Sequence, residues 1–160
     1  MNANRQHKMD REIMFRGKRT DTGENAEWIE GSLIDYNMPG VPYRRGIRER
    51  YYGGVCPVAS ETVGQFTGLH DENGKEIYEG DILRYPPKSD YDKGNYAAYK
   101  VFWYDNDSAY YHIGWQMNRA HYKGAICGGY IPNFLPETVS KMVVIGNIFD
   151  NPELLKTEQP

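Results

Sequence analysis

Residues 66–85 read FTGLHDENGKEIYEGDILRY, and this stretch specifies a piece of β-structure. Within it, the sequence DENG at 71–74 offers Asx side chains that bond their own backbone and a glycine that permits positive φ, so it predicts a tight turn. Gly80 marks the bend before a predicted strand over 81–85. The prolines at 86–87 end that strand because neither donates to a β-ladder. Turn chemistry, apolar pattern and breakers agree, which is typical of a β-meander.

The composition favours short strands and turns over helices. Aromatic residues make up 14% of the chain, and it contains 17 glycines and 9 prolines. Its 160 residues are the length of one domain. No apolar run approaches the ~18 residues that a membrane span needs, and residues 1–11 lack the apolar part of a signal peptide. We therefore expect no membrane association and a cytoplasmic location, in which Cys56 and Cys127 are free thiols.

Apolar patterns of strand length predict seven strands along the chain. The predicted strands cover residues 13–16, 28–34, 63–66, 81–85, 98–104, 110–117 and 142–149. The first two form an N-terminal hairpin, and 98–104 with 110–117 forms another hairpin. The last strand is apolar on both faces, which predicts a central place in a sheet. An Asn-Pro-Glu sequence at 151–153 predicts a short C-terminal helix.

Two segments are expected to lack strands. Residues 37–54 contain prolines and glycines that predict a long irregular loop, and 118–141 is expected to be a loop with one short helical turn. The apolar strand patterns predict that six side chains do not all face water: Ile82, Val101, Trp103, Ile113, Trp115 and Ile145.

Three blocks of sequence carry a resemblance to a known family. They are REIMFR at 11–16, TVGQFTGL at 62–69 continued by NGKEIYEGDI at 73–82, and VIGNIFDNPELL at 144–155. In this order the blocks resemble the YopX family, and the match spans residues 9–155. Segments 39–54 and 117–141 fit the family pattern poorly. Any partner contact made there is expected to be particular to this chain.

The YopX resemblance implies a fold and a biological setting. Such proteins are encoded mainly in bacteriophages and prophages, and their fold is mostly β with an SH3-like barrel. The family has no assigned biochemical activity, so the resemblance supplies no catalytic residues. We expect a mainly β chain with an SH3-like barrel core, an N-terminal β-hairpin and a short C-terminal helix. The domain covers 9–155, with disordered ends at 1–8 and 156–160.

The sequence lacks the residue spacing of a phosphate-binding loop and the ligands of a calcium loop. Between Gly68 and Gly74 lie five residues where a phosphate-binding loop needs four, and Glu76 stands where that loop needs Ser or Thr. The Asp105-Asn106-Asp107 sequence lacks the later ligand and glycine of a calcium loop, so a hairpin turn is favoured. The sequence predicts no cofactor site.

Metal-binding and acid–base groupings are also weak. His112, His121 and Cys127 match no zinc spacing, so surface histidines and a packed thiol are favoured over a metal site. The carboxylates of Glu76, Glu79 and Asp81 are close in sequence, yet such residues more often cap turns and accept backbone hydrogen bonds. We predict no metal ligands and no catalytic residues, and the protein is not expected to be an enzyme.

One stretch, YRRGIRERYYGG at 43–54, offers a binding hypothesis. Arginines among tyrosines combine phosphate contacts with stacking surfaces, as in single-stranded nucleic acid binding. The candidate binding residues are Tyr43, Arg44, Arg45, Arg48, Arg50 and Tyr51. The stretch has a formal charge of +3 and the chain −3, so the rest carries −6 and opposes nucleic acid. A solvated loop paired with the protein's own carboxylates is therefore favoured over this hypothesis.

Three function classes remain from the sequence. The leading one is a non-enzymatic binding module with a protein partner, which rests on analogy with small β-barrels. The alternatives are a single-stranded nucleic-acid-binding protein that uses residues 43–54, and a self-assembling structural protein that pairs exposed strand edges. The sequence does not identify the partner, the oligomeric state or the stage of phage life.

Overall fold

The computed structural model describes residues 12–23, 26–36, 39–40, 44–51, 53–106, 112–123 and 130–155. Their strands, in chain order, are β1 (Phe15–Lys18), β2 (Trp28–Asp35), β3 (Arg45–Glu49), β4 (Val55–Pro57), β5 (Gly64–His70), β6 (Glu76–Tyr78), β7 (Asp81–Arg84), β8 (Tyr96–Tyr104), β9 (Gly114–Lys123) and β10 (Val143–Asn147). The helices are α1 (Asp90–Gly94), α2 (Pro136–Val139) and 3₁₀ helices at Ser60–Thr62 and Pro152–Leu155. None of these described helices is long and apolar enough to cross a membrane. The expected disordered ends, 1–8 and 156–160, lie outside the described residues.

The first sheet has six strands in the order β4-β3-β2-β1-β5-β6, and its neighbours are antiparallel. The predicted N-terminal hairpin is confirmed as β1–β2, in which Arg16 lies opposite Glu30. The sheet curls, since Arg19 at the end of β1 forms a bridge with Val58 just after β4. Inside the curl lies an apolar cluster that includes Ile29 and Ile47.

The second sheet has four strands in the order β10-β7-β8-β9. The second predicted hairpin is confirmed as β8–β9, with Trp103 opposite Trp115. Strand β9 runs to Lys123, so the loop expectation is wrong for residues 118–123. Residues of α2 and of the segment before it cover one face of this sheet and complete the largest apolar cluster, which includes Val101, Met117, Phe134, Val139 and Met142.

The mainly β prediction is confirmed, but the described strands form two sheets and no closed barrel. The curl of the first sheet returns to β4 through one bridge rather than a ladder, so the described strands do not close into a barrel. The short C-terminal helix is present as the 3₁₀ helix at Pro152–Leu155. Strand β10 lies at a sheet edge, so its predicted central place is wrong. Its apolar run instead contributes Met142 to the large cluster and Phe149 to a contact with Trp28.

The six predicted apolar side chains are divided between core and surface. Ile82 and Val101 are fully buried, and Trp115 and Ile145 are half-buried. Trp103 is 44% exposed and Ile113 is 63% exposed, so the expectation that not all six face water is confirmed. The two exposed residues lie at the end of the β8–β9 hairpin where the chain connects the two strands.

A buried ion pair joins the two sheets. The Arg16 guanidinium of β1 donates to Asp81 Oδ1 of β7 at 2.5 Å, and these side chains are 9% and 1% exposed. Asp81 Oδ2 accepts the Tyr78 backbone N–H at 2.8 Å. The guanidinium lies 4.7 Å from the ring centre of Trp28 and 4.8 Å from that of Tyr78. Burial raises the pKa of Asp81, and the positive charge of Arg16 opposes that rise.

The turn after β10 forms a second joint with the N-terminal hairpin. The Trp28 indole N–H donates to Asp150 Oδ2 at 2.7 Å, and Lys18 forms an ion pair with the same carboxylate. Asn147 donates its side-chain amide to Asp150 Oδ2 at 2.8 Å. Partial burial works against the charged form, but these donors outweigh it and lower the pKa of Asp150 to about 2.

Replacing Gly74 by Val tests the predicted turn. Gly74 has φ +80° and donates its N–H to Asp71 O at 3.0 Å, and an added Cβ would meet nothing within 4 Å. The cost is therefore backbone strain alone, and we expect about 1 kcal/mol or more of lost stability. Gly54→Val is the control, since its Cβ also meets open space without positive φ. Equal unfolding midpoints for the two variants in urea would refute the turn.

Arg16→Met tests the inter-sheet ion pair. The variant leaves a buried carboxylate without its cation, so we expect a loss of roughly 3 to 5 kcal/mol. Adding Asp81→Asn should recover part of this loss, because a neutral amide oxygen still accepts the Tyr78 N–H. The control is Arg19→Met, whose partner Asp21 is 41% exposed, and it should cost less than about 1 kcal/mol. Urea unfolding measures all four proteins, and no recovery in the double variant would contradict this account.

The Asp150 joint predicts a pH dependence of stability. The folded pKa of about 2 lies below the usual 3.8, so the ionised carboxylate stabilises the folded protein above that value. This contribution should disappear as the pH falls from about 4 to about 2. The stability advantage of the natural protein over Asp150→Asn should shrink in that window. The advantage of Lys18→Met over the double variant Lys18→Met/Asp150→Asn should be smaller, because the carboxylate has lost its cation. Unfolding midpoints measured at several pH values check this, and parallel curves would disprove it.

Candidate functional site

The predicted loop at 37–54 contains strand β3, so that expectation is wrong for residues 45–49. Strand β3 pairs with β2 on one side and β4 on the other. Ile47 at its centre is fully buried in the cluster inside the curl, which fixes the segment as a strand. The prolines that suggested a loop, Pro39 and Pro42, lie before β3 and do not interrupt its ladders.

The structure does not bring the predicted arginines onto one surface. Arg44 and Arg48 are exposed, whereas Arg45 is half-buried and donates to Ser60 O at 3.4 Å. Along a strand, side chains alternate between faces, so Arg45 shares the face of Ile47 and Arg48 takes the other. Tyr43 lies outside the described residues. The described arginines of β3 therefore lie on both faces of a strand and do not form one loop surface.

Arg50 and Tyr51 follow β3 and form part of a different feature. The Arg50 guanidinium forms ion pairs with Glu12 at 3.2 Å and Glu76 at 3.3 Å. Its carbon lies 6.0 Å from the ring centre of Tyr51, which is 80% exposed. The charge of Arg50 is thus compensated within the protein, as the solvated-loop interpretation predicted for this arginine.

These two residues line a groove of about 230 Å³ beside β2, which we call the Trp28–Tyr51 groove. Its lining comprises Trp28, Ile29, Glu30, Glu49, Arg50 and Tyr51. The Arg50 backbone N–H donates to Glu30 O at 3.3 Å, which fixes one wall against the other. Gly31 permits this approach, since a Cβ there would lie 1.9 Å from Arg48 O.

Carboxylates are in excess around this groove. Glu30 and Glu49 line it, and Glu12 and Glu76 form ion pairs with Arg50, which also lines it. Burial, and next the negative charge of Glu76, raise the pKa of Glu30. The nearby Arg16 contributes little free positive charge because Asp81 is paired with it. The groove therefore combines aromatic surface with net negative charge.

The other sequence candidates have structural partners or lie apart. Asp81 is paired with Arg16, and Glu76 accepts the Tyr78 hydroxyl at 2.7 Å, so these carboxylates serve the joint between the sheets. Within the described ranges, no three His, Cys, Asp or Glu side chains are close enough to hold a metal ion. Cys127 lies outside those ranges, and burial raises the pKa of the half-buried Cys56 thiol.

Sequence reasoning missed Trp28 and Glu30 as site residues. Both lie on β2 on the face that carries Arg16, because Trp28 lies opposite Lys18 and Glu30 opposite Arg16 in the β1–β2 ladder. The available signal was a tryptophan and an arginine on the polar face of the predicted hairpin. The groove itself needs β3 beside β2, a pairing that the loop interpretation of 37–54 excluded.

Comparison with known proteins places the chain in a family. A family model described as YopX protein matches residues 14–156. A comparison with curated protein sequences found no match. Among solved structures, the chain is similar to protein EF1440 from Enterococcus faecalis, with 22% sequence identity and a TM-score of 0.51 over 91% of this chain and 99% of that one. That likeness concerns the fold alone. Because the family match covers nearly its whole length, this chain belongs to the YopX protein family.

Proposed function

We propose that this protein is a non-enzymatic binding module whose Trp28–Tyr51 groove holds a basic side chain of a protein partner. The observation that carries the proposal is Tyr51, which is 80% exposed next to half-buried Trp28 in a carboxylate-rich groove. A large aromatic side chain at the surface of a concave site is typical of binding anchors. It has no role in the three apolar clusters of the fold.

The chemistry of the groove favours a lysine or arginine over other side chains. The aromatic faces attract a cation with about 0.5 to 2 kcal/mol, depending on how far it is desolvated. The carboxylates of Glu30 and Glu49 add an attraction that an anionic or neutral side chain lacks. An arginine or lysine on a partner would also place its apolar stem against the tyrosine ring.

The same charges disfavour single-stranded nucleic acid at this groove, because phosphates would meet the carboxylates of Glu30 and Glu49. The exposed Arg44 and Arg48 favour the nucleic-acid alternative elsewhere on β3. Two arginines supply about half the counterion release that four would give. The binding test below therefore includes single-stranded DNA as a separate ligand.

Self-association is the remaining alternative, and strand β9 favours it. β9 runs from Gly114 to Lys123 at the edge of the second sheet, where backbone groups are available for pairing. The register shift opposite Ala98 and Tyr99 and the charge of Arg119 oppose such pairing, because bulges and charges blunt edges. We therefore place it below the protein-partner proposal.

The setting of the proposal comes from the family. YopX-like proteins are encoded mainly in phages and prophages, so we propose a phage or prophage accessory protein that acts in the cytoplasm. We also propose that β1 to β4 resemble an SH3-like barrel. Their curl around one small apolar cluster supports this. A role in binding through surface residues of this sheet requires no catalytic group.

Titration with blocked amino acids tests the groove. N-acetyl-arginine amide should shift the NMR signals of the Trp28 indole and the Tyr51 amide, while N-acetyl-glutamate amide should not. Tyr51→Ala and Glu30→Gln should each lower the affinity for the arginine probe about fivefold, since each removes an attraction of roughly 1 kcal/mol. Tyr91→Ala is the matched control, because Tyr91 is 63% exposed on α1 and away from the groove.

Two other results would redirect the proposal. Equal shifts with the glutamate probe, or unchanged binding in Tyr51→Ala, would rule out a cation site. For the nucleic-acid alternative, fluorescence anisotropy with single-stranded DNA at two salt concentrations should show weak binding or none. Strong binding that falls steeply with salt and is lost in Arg44→Gln with Arg48→Gln would favour nucleic acid instead.

A further inference from the structure

A second concave site lies where the two sheets meet, and we call it the Glu79–Lys100 cleft. It has a volume of about 190 Å³ and is formed by the 3₁₀ helix at Ser60–Thr62, the turn between β6 and β7, strand β8 and the turn after β10. It is lined by three charged residues, Glu61, Glu79 and Lys100, and by apolar residues that include Val63, Ile148 and Phe149. None of them takes part in the Trp28–Tyr51 groove.

Backbone hydrogen bonds fix the walls of this cleft. The Gly80 N–H donates to Val101 O at 2.9 Å, and the Ile148 N–H donates to Gly80 O at 3.0 Å. Gly80 has φ +82°, so the wall turns there through a conformation that glycine adopts readily. On the other side a Cβ at Gly64 would lie 2.7 Å from Glu79 O, which shows how closely β5 supports the Glu79 backbone. The cleft is therefore preformed.

The charged side chains of the cleft lack close partners among the described residues. Glu79 and Lys100 are half-buried and Glu61 is exposed. As far as the structure describes the chain, none of these three side chains forms an ion pair or a side-chain hydrogen bond. Partial burial of a charge costs free energy unless a partner replaces the lost water. A ligand that brings complementary charges would supply that partner.

We propose that the Glu79–Lys100 cleft binds a small zwitterion with an apolar side chain, of which an apolar α-amino acid is the simplest example. Its ammonium group would meet the carboxylates of Glu61 and Glu79, and its carboxylate would meet the Lys100 ammonium. The apolar side chain would lie against Val63, Ile148 and Phe149. The volume is below the ~300 Å³ at which pockets for drug-sized ligands begin, which fits a ligand of this size.

L-leucine is the probe, and NMR of the full-length protein is the measurement. Saturable shifts at millimolar concentrations are expected for the Gly80, Ile148 and Phe149 amides. Leucine methyl ester and N-acetyl-leucine each lack one charge and should bind at least about fivefold more weakly, as the loss of a solvent-accessible charge contact implies. The Gly80 and Ile148 amides distinguish this cleft from the other groove, whereas the Phe149 ring lies 5.9 Å from the Trp28 ring.

Charge-removing variants complete the test. Lys100→Gln should weaken leucine binding at least about fivefold and leave binding of the methyl ester unchanged, because the ester has no carboxylate to lose. Glu79→Gln should weaken both leucine and the ester. Lys123→Gln is the control, since Lys123 is an exposed lysine at the end of β9. Circular dichroism confirms that each variant is folded.

Three outcomes would overturn the proposal. They are the absence of saturable shifts with leucine, equal binding of leucine, its methyl ester and N-acetyl-leucine, and unchanged leucine affinity in both Lys100→Gln and Glu79→Gln. The second outcome would assign the cleft to an apolar peptide segment. Loss of leucine binding with retained arginine binding in the other groove would leave the proposed function intact, so the two proposals fail separately.

Discussion

The ion pair between Arg16 and Asp81 is the constraint on which the arrangement of the two sheets depends. An arginine and an aspartate that are 9% and 1% exposed are stable only together, because either charge alone would be buried without compensation. Each half comes from a different sheet, so the pair fixes β1 against β7. The Tyr78 N–H donates to the carboxylate, and the rings of Trp28 and Tyr78 lie against the guanidinium. Removal of one partner from such a pair costs far more stability than replacement of both by apolar residues, so the two side chains depend on each other.

The position of Arg16 also determines the groove. Arg16 lies opposite Glu30 and under the Trp28 ring, so the outer face of β2 carries an aromatic ring and a carboxylate side by side. Arg16 forms its ion pair with Asp81, so it does not serve as the counterion of Glu30. Arg50 is shared with Glu12 and Glu76 and compensates only part of the deficit. Negative charge at the groove is thus a consequence of how the sheets are joined.

Local features were predictable from the sequence, and features that need distant partners were not. The turn at 71–74 and the glycine at its end follow from chemistry within four residues, and both are confirmed. Asp71 also accepts the Val144 backbone N–H at 3.0 Å, a contact that no pattern around the turn reveals. Strand β3 was missed because prolines before it outweighed the one apolar position, Ile47, that its neighbours bury. Strand alternation then separated arginines that are adjacent in sequence.

The sequence blocks that carry the family resemblance coincide with the joints of the scaffold. The first block supplies Arg16, the second supplies Tyr78 and Asp81, and the third supplies Asp150 and its neighbours, which hold Trp28. These contacts explain a common fold without implying a common ligand. The groove takes Glu30, Glu49, Arg50 and Tyr51 from outside all three blocks. A change at those four positions would alter the charge and shape offered to a partner while the ion pair and the Asp150 joint stay in place, so partner choice can vary on a constant scaffold.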